Sequence, residues 1–182
     1  MKRICVFCGS NAGNDPDFVA AARELGEILA ARGIGIVYGG GSVGMMGALA
    51  DAAMAAGGHV AGIIPRAMVD AELAHPGITE LHVVHTMHER KALMSRMSTA
   101  FLALPGGFGT MDELFESLTW SQLGLHEKPC GLLNVNRFFD PLLEFLDTAA
   151  AQGFIPPEHR RLLLDESTPQ GLLDKIDRFP QS

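Results

Sequence analysis

The stretch "GIGIVYGGGSVGMMGALADAAMAAGGHVAGIIP", Gly33 to Pro65, decides the fold. An apolar run ending in Tyr38 meets a cluster of glycines. An alanine-rich segment follows to about Ala56, and then a second apolar run, "HVAGIIP". Strand, tight turn, helix and strand in that order form a parallel βαβ unit. The runs are continuously apolar rather than alternating, as strands buried on both faces are.

The same unit repeats outward. Before it, "RICVFC" (3–8) is a strand, and Asn14, Asp15 and Pro16 start a helix with Phe18, Ala22, Leu25 and Leu29 on one face and Gly33 at its end. After it come a looser segment with Pro65 and Pro76, strand "ELHVVH", helix "MHERKALMSRMS" and strand "AFLAL". A helix from Thr110 to about Leu123, strand "CGLLNV", the mostly helical "FFDPLLEFLDTAAAQG" and strand "RLLLD" complete the alternation. Ser167, Thr168 and Pro169 cap a last amphipathic helix. No linker or repeat interrupts residues 1–182. The expectation is one doubly wound, Rossmann-like α/β domain with a mostly parallel sheet covered on both faces.

Composition narrows the functions. The net charge of -7 argues against a broad nucleic-acid or membrane partner. No apolar run approaches the roughly 20 residues of a membrane span. "MKRICVFCGS" reads as a first strand rather than a signal peptide. Three cysteines without a framework fit a reducing, cytoplasmic setting. Cys5 and Cys8 form C-x-x-C, but on a strand they point to opposite faces, against a redox or metal role. His82, His85 and His88 cannot share one face on a strand running into a helix, so no metal site is expected.

Two glycine loops lie at strand ends, where ligands of such sheets bind. The first holds Gly39, Gly40, Gly41 and Gly44. It matches G-x-G-x-x-G, but the next strand ends in Pro65 and Arg66 instead of a ribose-binding acid, so a nicotinamide cofactor is not expected. The second is "ALPGGFGTMDE", Ala103 to Glu113. It lacks the Gly-Lys-Ser/Thr of a P-loop. Free N–H groups of Gly106, Gly107, Gly109 and Thr110 at a helix start could hold a phosphate. Equally, Thr110-x-x-Glu113 could be a capping box and no more. Arg90 and Lys91 begin the preceding helix, where cations are unfavourable unless an anion compensates or a surface pair forms. Met87, Arg90, Met94 and Met97 recur on one face, either as core or as the wall of an apolar pocket.

With "CVFCGS" at the start, "MHERK", and "PGGFGTMDE" after it, the sequence resembles the LOG ("Lonely guy") family over about residues 1–165. Members are cytokinin riboside 5'-monophosphate phosphoribohydrolases, often mislabelled lysine decarboxylases. The resemblance implies a homodimer without metal or redox cofactor. It hydrolyses the N-glycosidic bond of an N6-modified AMP to free base and ribose 5-phosphate. Arg90 and Glu113 match the catalytic pair. Lys91, Gly106, Gly107, Gly109, Thr110 and Asp112 match the substrate-binding motif, with Phe108 at a variable position inside it. Gly9, Ser10, Gly40, Gly41, Gly44, Met87 and Met94 are further candidate contacts, and Thr119 and Glu72 match less closely.

Such a reaction develops positive charge on the ribose, which a carboxylate beside the sugar stabilises. Near a helix N-terminus the Glu113 carboxyl is expected to titrate low, suiting an electrostatic stabiliser better than a base. Asp112 and Glu113 would repel a phosphate in the loop, so the amides and Lys91 must outweigh them. A broader AMP nucleosidase and a non-enzymatic nucleotide carrier remain open. Lysine decarboxylation would need a Schiff-base lysine in a pyridoxal phosphate site, and no lysine sits in such a context.

Overall fold

Strand Arg3–Phe7 (β1) lies in the middle of one seven-stranded sheet, with every residue after Arg3 buried. The computed structural model describes residues 2–71 and 73–180. Along the chain follow α1 (Pro16–Ala31), β2 (Gly35–Tyr38), α2 (Gly44–Ala55), β3 (Val60–Pro65), α3 (Arg66–Asp70), β4 (Glu80–Val84) and α4 (Met87–Arg96). Then come β5 (Ala100–Ala103), α5 (Phe108–Gln122), β6 (Cys130–Leu133), α6 (Asp140–Ala151), α7 (Pro157–Arg160), β7 (Leu163–Glu166) and α8 (Pro169–Asp177). The strand order is β4-β3-β2-β1-β5-β6-β7, and each neighbouring pair is parallel. The chain winds outward from β1 to β4, returns to β5 beside β1, and winds out the other way. The carboxyl ends of β1 and β5 therefore flank the switch point, where doubly wound sheets open a crevice.

Side-chain alternation along β1 divides the core. Ile4, Val6 and Cys8 pack with Ile36 and Tyr38 of β2 under α1, α2 and α8. Cys5 and Phe7 pack with Val37 and Phe101 on the opposite face, under Met94 of α4, Leu114 of α5 and Leu146 of α6. The C-x-x-C thiols thus sit in different layers, and all three cysteines are free and buried. The two-sided cover stops short of β4, whose Leu81 and Val83 are exposed. This is the edge strand, paired on one side only, with β3.

Local chemistry sets the helix starts. The Asp15 carboxylate accepts from the Asp17 N–H, with Pro16 in the first turn. Thr86 and Glu89 form a reciprocal capping box at α4. Thr168 caps α8 through the Gly171 N–H. The short helices α3 and α7 fall in segments that sequence periodicity leaves irregular, because four or five residues are too few to show a helical period.

Candidate active site

A cavity of about 630 Å³ opens beyond the carboxyl ends of β1, β2 and β5. One wall is backbone: Gly9 and Ser10 after β1, Gly39 and Gly41 after β2, and Gly106 to Thr110 after β5. The buried Tyr38 hydroxyl donates to the Gly41 carbonyl at 3.1 Å and pins the second of these loops. Gly107 and Gly109 face open space, where a Cβ would meet nothing within 4 Å. Between them α5 begins, two residues earlier than the sequence suggests, with Gly107 as its cap and no side-chain cap bond. The first N–H groups of a helix have no intrahelical acceptor, so those of Phe108, Gly109 and Thr110 are left for a ligand.

This start removes the capping-box reading of Thr110 and Glu113. Thr110 is already inside the helix, and its hydroxyl abuts Gly106. Glu113 lies beyond the first turn, 8% exposed, and accepts a 2.5 Å bond from Arg90 Nη1. Arg90, also 8% exposed, donates through Nε to the Ile63 carbonyl at 3.0 Å. The pair joins two successive helices across β5 and is no surface bridge. Burial pushes the Glu113 carboxyl above the ordinary carboxylate range. Attraction and hydrogen bonding from Arg90 pull it back only in part, Asp112 adds to the rise, and Lys91 opposes it. The expected depression fails because the dipole effect fades past the first turn while desolvation grows.

The candidate contacts separate. Gly9, Ser10, Gly41, Met87, Gly106, Gly107, Phe108, Gly109 and Thr110 line the cavity with Arg90 and Glu113. Lys91 does not. Its Nζ pairs with Asp112 and Glu116, each at 3.1 Å. Burial opposes its charge, but those two carboxylates outweigh it and hold its pKa above the usual lysine range. Neither Lys91 nor Asp112 lines the cavity, because one helical step turns each off the face of its neighbour in the Arg90–Glu113 pair. Met94 is packed in the core at 1% exposure, so the methionine stripe splits, with Met87 at the cavity and Met94 inside. Thr119 donates to the Phe115 carbonyl within α5, away from the cavity. Gly40 and Gly44 shape the loop from behind. Both have positive φ, and a Cβ on Gly44 would strike the Ser10 carbonyl. Glu72 lies outside the described residues.

The opposite wall is apolar, and sequence reading did not place it there. Met45 and Met46 come from α2, Met68 from α3, Leu73 from the following loop, and Phe18 and Phe138 close the end. Only the 3.6-residue spacing of Met87 hinted at it. Cys8 lines the floor, where burial raises its thiol far above the usual range and leaves it neutral. Among the described residues Glu113 is the one carboxyl group in the lining, and no cluster of three His, Cys, Asp or Glu is placed to hold a metal ion.

A family model described as "Possible lysine decarboxylase" matches residues 46–176. The chain is 52% identical over 180 residues to a protein of Oryza sativa subsp. japonica named probable cytokinin riboside 5'-monophosphate phosphoribohydrolase, spanning 99% of this chain and 81% of that one. It is 47% identical to the cytokinin riboside 5'-monophosphate phosphoribohydrolase LOG of the same plant, over 98% of this chain and 74% of that one. An Arabidopsis thaliana protein with the same activity in its name is also 47% identical, over 98% and 84%. Among solved structures, the molybdenum cofactor binding protein from Rippkaea orientalis superposes with a TM-score of 0.74 at 22% identity, covering 97% of this chain and 96% of that one. The Moco carrier protein from Chlamydomonas reinhardtii gives 0.73 at 20% identity, over 98% and 96%. At those identities the likeness is one of fold, the Rossmann-like sheet described above.

Proposed function

The chain belongs to the LOG family of cytokinin riboside 5'-monophosphate phosphoribohydrolases, and on that premise we propose that it hydrolyses the N-glycosidic bond of N6-modified AMP. The observation that carries this reading is the buried Arg90–Glu113 pair, set between an amide-lined wall and an apolar one. The 5'-phosphate sits at the α5 N-terminus, on the amides of residues 108–110. The N6 substituent lies against Met45, Met46, Met68 and Met87, soft side chains that adapt to a flexible alkyl group. The ribose then falls beside Glu113.

As the bond from C1' to the base nitrogen stretches, positive charge grows on the sugar. The Glu113 carboxylate stabilises it, held by Arg90 through Oε1. Its raised pKa also makes it a better proton acceptor than an ordinary carboxylate, so it can take a proton from the attacking water. The water oxygen bonds to C1', the electron pair of the broken bond stays on the base, solvent supplies the proton that the base gains, and protonated Glu113 returns its proton to solvent. The products are free base and ribose 5-phosphate. Asp112 and Glu116 are engaged by Lys91, which supports neither as an acid for the leaving group.

The apolar wall favours prenylated AMP over AMP itself, because burying a five-carbon substituent is worth about 0.8 kcal/mol per methylene-sized group. Product analysis with prenylated AMP, AMP and other nucleoside monophosphates tests this. Free prenylated base and ribose 5-phosphate are expected, at a kcat/KM well above that for AMP. Equal values would support the broader nucleosidase, and binding without cleavage would support a carrier. The same reading includes a cytoplasmic homodimer. Sedimentation equilibrium of the purified chain should give twice the 19.4 kDa monomer mass. No described helix is long and apolar enough to cross a membrane.

A further inference from the structure

Gly39 follows β2 directly and lies in the cavity wall beside Arg90. Its neighbours Gly40 and Gly44 have φ of +79° and +62°, but Gly39 is not among the glycines of positive φ. Its φ therefore does not by itself call for glycine, and the obstacle a side chain there would meet is steric. A Cβ there would overlap Nη2 of Arg90, lie 3.5 Å from Cζ, and come within 3.1 Å of the Met46 sulfur. The guanidinium is the first obstacle.

A guanidinium is planar and rigid. Nε is fixed on the Ile63 carbonyl at 3.0 Å and Nη1 on Glu113 at 2.5 Å. Two such bonds set the plane, and Nη2 must go where the plane carries it, onto the bare Cα of Gly39. Turning the group to clear a methyl would break one bond or the other. We infer that Gly39 is a positioning residue whose absent side chain is the seat of the Arg90 guanidinium, allowing it to hold Ile63 and Glu113 together. The catalytic consequence rests on the function proposed above. The seat itself rests only on geometry.

The test is Gly39→Ala, made alone and together with Arg90→Ala, read by kcat and KM on prenylated AMP, by pH profile and by thermal unfolding. In the single variant kcat falls about 100-fold with KM little changed, the cost of a misplacement near 1 Å. Its acid limb moves to higher pH, because Glu113 loses the arginine that restrains its carboxyl. Its Tm falls below that of the parent. Added to Arg90→Ala, the same alanine lowers Tm much less, since the guanidinium it struck is gone and the Met46 sulfur left near it belongs to a flexible side chain. If the single variant fails to fold while the double variant folds, the seat is supported as well. Equal Tm losses in both backgrounds, failure of both to fold, or a single variant with parental kcat and an unmoved acid limb overturns it. Normal turnover by Arg90→Ala would sink the functional reading instead, and the unfolding cycle would still decide the seat.

Discussion

Glu113 and Arg90 meet where almost no water reaches them, and burial has opposite consequences for structure and for reactivity. Removing one partner leaves the other as an uncompensated buried charge, at a cost of about 3–5 kcal/mol. Glu113→Ala therefore confuses lost chemistry with lost stability. Glu113→Gln keeps the shape and an acceptor for Arg90 though not the charge, and is expected to fold with a smaller loss of Tm than Glu113→Ala while turnover falls by about 1000-fold, the scale on which electrostatic stabilisation of developing charge acts. The sign of the pH dependence follows from the raised carboxyl. The proposed mechanism needs the ionised form, so kcat/KM is expected to fall as pH drops, along a limb lying above the ordinary carboxylate value of about 4.3. In Glu113→Gln the limb disappears from the residual rate. A limb at or below the ordinary value in the parent would contradict the burial argument. Near-parental turnover in the glutamine variant would remove Glu113 from the reaction.

Elements bring these side chains together, and one contact between helices shows how tightly. Gly26 sits in the middle of α1 where α2 crosses it, and a Cβ there would lie 2.5 Å from the Leu49 carbonyl oxygen and 3.1 Å from the Ala53 nitrogen. Both are backbone atoms of α2 and cannot swing aside. Alanine would gain about 1 kcal/mol in helix propensity, but overpacking against fixed backbone costs about 1–3 kcal/mol. The steric term wins when no side chain can yield. Gly26→Ala is expected to lower Tm by a few degrees, read by thermal unfolding, and an unchanged or higher Tm would show that the two helices separate freely. Because α2 also carries Met45 and Met46 into the cavity wall, such a shift should raise KM for the prenylated substrate more than it lowers kcat. Two helix starts were legible beforehand, since Asp15, Thr168 and their neighbouring prolines carry the capping chemistry in their own residue types. The start of α5 was not. Thr110 and Glu113 have the spacing of a capping box, but the glycines before them let the helix begin earlier, and Arg90 takes the carboxylate.

At the scale of the molecule, the acidic background makes phosphate recognition a local matter. The net charge is -7, and Arg90 is the one lysine or arginine in the cavity lining among the described residues. Lys91 is committed to Asp112 and Glu116. In the proposed binding mode the 5'-phosphate therefore depends on the helix N-terminus and loop amides. Two charge-assisted bonds at about 1.5 kcal/mol each amount to roughly 3 kcal/mol, or about 100-fold in affinity. The free riboside should be cleaved with a kcat/KM about 100-fold below that of its 5'-monophosphate. Equal cleavage of the two would discredit the amide cradle.

The sequence by itself determined the alternation of strand and helix, the two glycine loops at strand ends, and the separation of Cys5 from Cys8. Each depends on residue type and on a period of two or 3.6, properties that neighbours in the chain carry between them. Tertiary structure alone decided which of two adjacent side chains reached the cavity. Arg90 and Lys91 differ by one residue, as do Glu113 and Asp112, and 100° of helix rotation sends one of each pair inward and the other to the surface of α5. Met87 and Met94 share a helical face in the sequence, but Met87, at the start of α4, lines the cavity, while Met94, two turns on, is buried in the core. The apolar wall draws on α1, α2, α3 and the Phe138 loop, more than a hundred residues apart along the chain. No local pattern encodes that meeting, because it is the winding order about β1 that folds them onto one crevice.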